Sequence, residues 1–198
     1  MLRATALWLG ATLLLGGCAS EGPPVSERLD LQTGVTIRAL TEPLQYAHDA
    51  PELAANARDY LSVGVVEINN MGVRRHYLAL VSWSTINRAR AGVAPAPVPQ
   101  HVEIACSGAT LALDPASHEP RSLGIGGTPF RPATGYVGES WYAVTPAQLR
   151  ALAATLPESI ALRTDGAPVT YVPWRASPGA LGEFVRDIPD PGATRPQR

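Results

Sequence analysis

Two cysteines, Cys18 and Cys106, and four scattered histidines hold most of the reactive chemistry of this chain. Cys106 ends the run His101-Val102-Glu103-Ile104-Ala105-Cys106, where apolar residues alternate before a Ser-Gly turn signal. A thiol attacks only as thiolate, which needs a nearby base. His101, five residues back on the same strand, points to the opposite face, so Cys106 reads as a small buried hydrophobe. No His-Glu-x-x-His, paired-cysteine motif or carboxylate-rich calcium loop is present, and no metal site is expected. Gly138-Glu139-Ser140-Trp141-Tyr142 starts like a nucleophile elbow but ends in Tyr, where that motif's close backbone packing needs Gly. Leu123-Gly124-Ile125-Gly126-Gly127-Thr128 is glycine-rich, yet Pro129 takes the place of a dinucleotide fingerprint's last Gly and no capped helix follows. A bent strand or bulge is expected there, and no catalytic residue is assigned.

Two features suit binding. Arg74, Arg75 and His76 follow a turn cluster, where an exposed tip would offer guanidinium groups to a phosphate or carboxylate. The plainer reading is a solvated hairpin end beside Glu67. Trp83, Trp141 and Trp174, with Tyr77, Tyr142 and Tyr171, are candidates for a platform that stacks on sugar rings, although strand aromatics usually fill cores. Trp174 is the best placed of them, because Pro173 keeps its strand end away from the middle of a sheet.

The N-terminus carries a different chemistry. Arg3 precedes an apolar run, Ala4 to Leu15, that is too short to span a bilayer, and small residues lead to a cysteine in Leu15-Gly16-Gly17-Cys18. This resembles the lipobox of bacterial lipoproteins. The resemblance implies cleavage before Cys18, a signal peptide over residues 1–17, and diacylation of Cys18 with further acylation of the new amino terminus. It covers only the start of the chain. Ala19, where an Asp would imply inner-membrane retention, implies an outer-membrane, periplasm-facing location in the cell envelope. Two or more acyl chains anchor stably where one does not. The covalent lipid on Cys18 is the sole non-protein group expected, and no cofactor is.

Composition fits such an address. Removing residues 1–17 takes away Arg3 and shifts the net charge from −1 to −2, so nothing favours nucleic acid. All 16 basic residues are Arg. The absence of Lys excludes Schiff-base chemistry and a Walker-type phosphate loop. With Cys18 lipidated, Cys106 has no disulfide partner, so packing alone must hold the fold.

The elements that would position these residues read as follows. Residues 18–29, with Pro23 and Pro24, suit a lipidated flexible tether, 30–186 a single β-rich domain, and 187–198 a disordered tail. Val35-Ile37-Ala39 alternates as a strand, Leu44-Tyr46-His48 continues after Pro43, and Asp49 to Ala55 offers a helical turn or two. Leu61–Ile68 and Val73–Ile86 flank Asn69-Asn70-Met71-Gly72 as a long hairpin. Its second arm is apolar on both faces, as for a central strand covered on two sides. A proline-rich connection over Ala89 to Gln100 follows. Gly138 to Val144 reads as a strand. Thr145-Pro146-Ala147-Gln148 is a capping box with proline at the first helical position. Strands at Ile160–Thr164 and Val169–Trp174 flank Asp165-Gly166, and Ser177-Pro178 caps a last short helix. The expected fold is α+β, mainly antiparallel β, a sandwich or half-barrel with one or two short packed helices. The expected function is an envelope lipoprotein that presents a non-catalytic interaction surface to a partner protein or complex. The alternatives are a glycan, peptidoglycan or lipid head-group binder and, third, a periplasmic hydrolase. Oligomeric state is left open.

Overall fold

A computed structural model describes residues 22–87, 90, 92, 100–130, 138–163, 167–175 and 178–189. The run that resembles a lipobox with Cys18, the expected Asp165-Gly166 turn, Ser177, residues 190–198 and most of the proline-rich connection lie outside them.

The long hairpin organises the fold. Strands β4 (Arg58–Asn70) and β5 (Val73–Ser84) pair in unbroken register, with Asn70 opposite Val73. Met71 and Gly72 are therefore a two-residue turn, and both have positive φ, 50° and 94°. That geometry matches the twist of the flanking strands. Asn69 Oδ1 accepts from the Gly72 amide at 2.9 Å.

Every other strand builds outward from this pair, all antiparallel. Strand β2 (Thr36–Leu40) and strand β3 (Leu44–Asp49) share the far edge of β4, at Val66–Asn69 and Arg58–Val63 respectively. Strand β1 (Val25–Leu29) lies outside β2, and β8 (Gly138–Val144) lies beside β5. From β3 the sheet continues through β10 (Val169–Arg175), β9 (Ser159–Arg163), β6 (His101–Cys106) and β7 (Ala109–Leu113). The chain after β7 then meets β8 at a bridge between Ser117 and Trp141, so the sheet curls into a half-barrel. Helix α1 (Pro146–Ala154) and helix α2 (Pro178–Arg186) pack on each other and contribute to its interior. The capping box forms as expected, with Gln148 N donating to Thr145 Oγ1 and Thr145 N donating to Gln148 Oε1.

Alternation along β5 sends Leu78 and Leu80 to one face and Tyr77, Ala79 and Val81 to the other. The first group joins residues from all around the curl, such as Tyr46, Leu61, Ile104 and Ile160, with Leu149 and Phe184 from the helices. The second forms a smaller cluster on the outer face, under a cover supplied by Leu123, Ile125 and Phe130. Two cores thus lie on the two faces of one hairpin, each removing apolar side chains from water. Gly64 makes the outer cover possible, since a Cβ there would collide with the Phe130 ring.

Four local expectations are corrected. Residues Val25–Leu29 are not tether but strand β1, paired residue for residue from Val25–Leu40 to Leu29–Thr36. The open edge of β2, the next strand along the chain, is what orders them. Asp187–Pro189 is not frayed: Ile188 is buried, Asp187 pairs with Arg38, and Arg150 donates to the Ile188 carbonyl at 3.0 Å. Asp49 to Ala55 makes turns rather than helix, because Ala50 must bond Ala57 to return the chain into β4. The glycine-rich segment is neither strand nor bulge; it is a 3₁₀ turn at Pro120–Leu123, then Gly124 at φ 84° and the buried Ile125.

Candidate functional site

The expected cluster of Arg74, Arg75 and His76 does not act as one exposed tip. Strand alternation separates Arg75 from the other two, and His76 is 7% exposed, facing Glu67 across the hairpin. Glu67 is itself buried and lies at the centre of a row that runs Arg38, Glu67, His76 across three strands. Its carboxylate meets His76 Nε2 at 2.9 Å and accepts from Arg74 at 3.2 Å. Burial pushes the Glu67 carboxyl up, but the His76 hydrogen bond with the Arg74, His76 and Arg38 charges outweighs it and holds the group below its ordinary range. Arg38 caps the row by donating to the Phe184 carbonyl and to Asp187, both at 2.8 Å, while its guanidinium lies over the Phe184 ring. This network fastens α2 to the sheet. It is structural in geometry, with every charge turned to a partner inside the protein.

The strand that starts like a nucleophile elbow holds a second polar cluster. His118 Nδ1 lies 2.9 Å from Ser140 Oγ, a spacing at which a base can take a hydroxyl proton. Ser140 is fully buried, however, and also hydrogen-bonds the hydroxyl of Tyr142, whose own ionisation burial pushes up. A nucleophile needs surface for a carbonyl carbon to approach, and Ser140 has none. On the opposite face Glu139 accepts from Thr128 and from the Trp141 indole, each at 2.8 Å, which ties the outer cover to β8. Cys106 is half-buried, and its thiol donates to the Thr155 carbonyl at 2.6 Å, beyond the end of α1. Among the described residues no group of three or more His, Cys, Asp or Glu could hold a metal ion.

Large apolar and aromatic side chains are exposed toward the two ends of the hairpin. At the turn end, Leu29, Leu31, Met71 and Val73 are 57 to 100% exposed. The register sets Leu29 beside Thr36, Thr36 beside Asn69, and Asn70 beside Val73, so Leu29 and Val73 lie at the same sheet end on opposite faces, with Leu31 and Met71 in the adjoining turns. Arg75 is exposed beside them. At the other end, Trp174 is 46% exposed. The Arg58 guanidinium lies 4.4 Å from its ring centroid, the Tyr60 ring meets it edge-on at 6.0 Å, and Tyr60 stacks on Trp83 at 4.2 Å.

Of the six aromatic residues singled out from the sequence, Trp141, Tyr77, Tyr142 and Tyr171 are core, and only Trp174 and the half-buried Trp83 join this platform. Tyr60, Arg58 and Asp49 were missed. Counting back from a Met71-Gly72 turn would have set Tyr60 opposite Trp83. Compared with known proteins, the chain matches no family model, no curated protein and no solved structure.

Proposed function

We propose that this protein is a lipid-anchored lipoprotein of the cell envelope, held through acylated Cys18 at the outer membrane and facing the periplasm, that presents a non-catalytic interaction surface to a partner protein. The observation that carries this reading is the crown of Leu29, Leu31, Met71 and Val73 at one sheet end. Large apolar side chains exposed around one sheet end mark contact sites more often than scattered ones do. Arg75 adds a residue type enriched at such contacts. Among the described residues no helix is long and apolar enough to cross a membrane.

The leash is short under this reading. Thr41 donates to the Pro23 carbonyl at 2.6 Å through its hydroxyl and to the Pro24 carbonyl at 2.9 Å through its amide. Five residue steps from Cys18 to Pro23 span at most roughly 18 Å. A partner must therefore reach the domain close to the membrane surface.

Two measurements test this. A fatty-acid label should mark the wild type and not Cys18→Ser, and equal labelling of both would remove the anchor. A photo-crosslinking residue at position 71, in intact cells, should trap a reproducible envelope protein that the same residue at the exposed position 110 does not. Identical adducts from both positions, or none from either, would remove the docking surface.

A further inference from the structure

The platform at the far end of the hairpin stands apart from the partner-binding crown, and its chemistry differs. We propose that Trp174, Arg58 and Asp49 form a saccharide-binding patch that takes one pyranose ring of a glycan. Trp174 is large, half-exposed and held in place. A cation lies over its ring at 4.4 Å and Tyr60 meets it edge-on, while Tyr60 is itself stacked on Trp83 with 10° between the rings. The Trp83 indole donates to Ser62, and Ser62 donates to Gln45, so the base of the stack is pinned by hydrogen bonds. A ring fixed in this way loses little freedom when a ligand stacks on it.

Charged hydrogen-bonding groups border the aromatic surface. Asp49 accepts from Arg58 at 2.7 Å, and its side chain remains 74% exposed. Its remaining lone pairs lie one ion pair away from the indole, and Arg58, which also hydrogen-bonds Tyr60, keeps a partly exposed guanidinium beside it. A pyranose matches this arrangement with apolar C–H groups for the part of the indole that stays exposed beside Arg58, and hydroxyls that both donate to a carboxylate and accept from a guanidinium. A protein contact centred here would have to desolvate the Asp49–Arg58 pair, which costs more than it returns unless further bonds are supplied. The exposed charge pair thus favours a small hydroxylated ring over a protein surface.

The test uses the full chain in detergent and two displays of the same sugars. One is soluble tetramers of β-1,4-linked N-acetylglucosamine and of β-1,4-linked glucose. The other is those sugars as glycolipid headgroups in phosphatidylcholine vesicles. Tryptophan emission and calorimetry should show saturable binding. Trp174→Ala should weaken it about tenfold or more, Trp174→Phe and Arg58→Gln less, and Thr110→Ala not at all. Far-ultraviolet dichroism and melting establish that each variant is folded. If Trp174→Ala does not fold, Arg58→Gln and Trp174→Phe carry the test. Binding to the soluble tetramers supports a free or polymeric glycan, and binding to vesicles alone supports a lipid-linked one. No saturable binding in either display overturns the proposal, as does binding that the folded Trp174 and Arg58 variants leave unchanged. Neither result bears on the crosslinking at position 71.

Discussion

At the scale of single residues, the decisive positions are those where one side chain has to serve two layers. Gly64 is one. It lies in the middle of β4, where a glycine ordinarily weakens a strand, and its missing Cβ is what admits Phe130 to the outer cluster. Gly64→Ala should cost about 1 to 3 kcal/mol through overpacking, measured by denaturant unfolding. A Phe130→Leu change in the same chain should recover part of that cost, whereas strictly additive effects would show that the two residues do not meet. Tyr60 and Trp174 are a second instance. Each stands in a strand of the sheet, yet their rings meet edge-on, the Tyr60 ring buried and the Trp174 ring exposed with the Arg58 guanidinium over it. Nothing local in Arg58-Asp59-Tyr60 signals this, because the partner rings come from strands 23 and 114 residues further along the chain.

At the scale of elements, the hairpin and α1 were legible because their causes are local. A two-residue turn that needs positive φ selects residues such as Gly72, and a Thr-Pro-x-Gln run satisfies the first amides of a helix from within four residues. Strand β1 was not legible. Val-Ser-Glu-Arg-Leu has little apolar pattern and follows two prolines, which reads as linker. Its order comes from hydrogen bonds to β2 and from Val25 packing on the interior core. Deleting residues 25–29 should therefore lower the melting temperature and expose β2 as an open edge, with increased association in light scattering. A true tether could be removed with the melting temperature unchanged. The end of α2 obeys the same rule, since Asp187 and Ile188 look like the start of a breaker-rich tail until Arg38 and Arg150 are seen to hold them.

At the scale of the whole molecule, the row through Arg38, Glu67 and His76 connects the sheet to α2, so its protonation acts on global stability. Glu67 ionises more readily in the folded protein than at its ordinary value of 4.5. Its stabilising contribution is therefore present above about pH 4.5 and is lost as the pH falls through the lower, folded value. Asp30, whose carboxyl is held low mainly by the Gly126 amide and then by that of Gln32, acts in the same direction. Thermal melting should show stability falling as the pH drops below 4.5. Glu67→Gln should melt lower at neutral pH and show a shallower acid slope, and an unchanged slope would mean that the row carries no linkage.

The sequence alone determined what depends on neighbours along the chain. It marked the hairpin and its turn, the capped α1, the alternation that sends β5 to two cores, and the mainly antiparallel α+β class. These are set by periodicity, turn geometry and capping, which act over a few residues. The tertiary structure decided which exposed groups come together. It separated Arg75 from His76, buried Ser140 beneath its histidine, made residues 25–29 a strand, and gathered Arg58, Tyr60, Trp83 and Trp174 into one patch. Those outcomes depend on strand register and on the curl of the sheet, which bring distant segments to the same place and have no signature within any one of them.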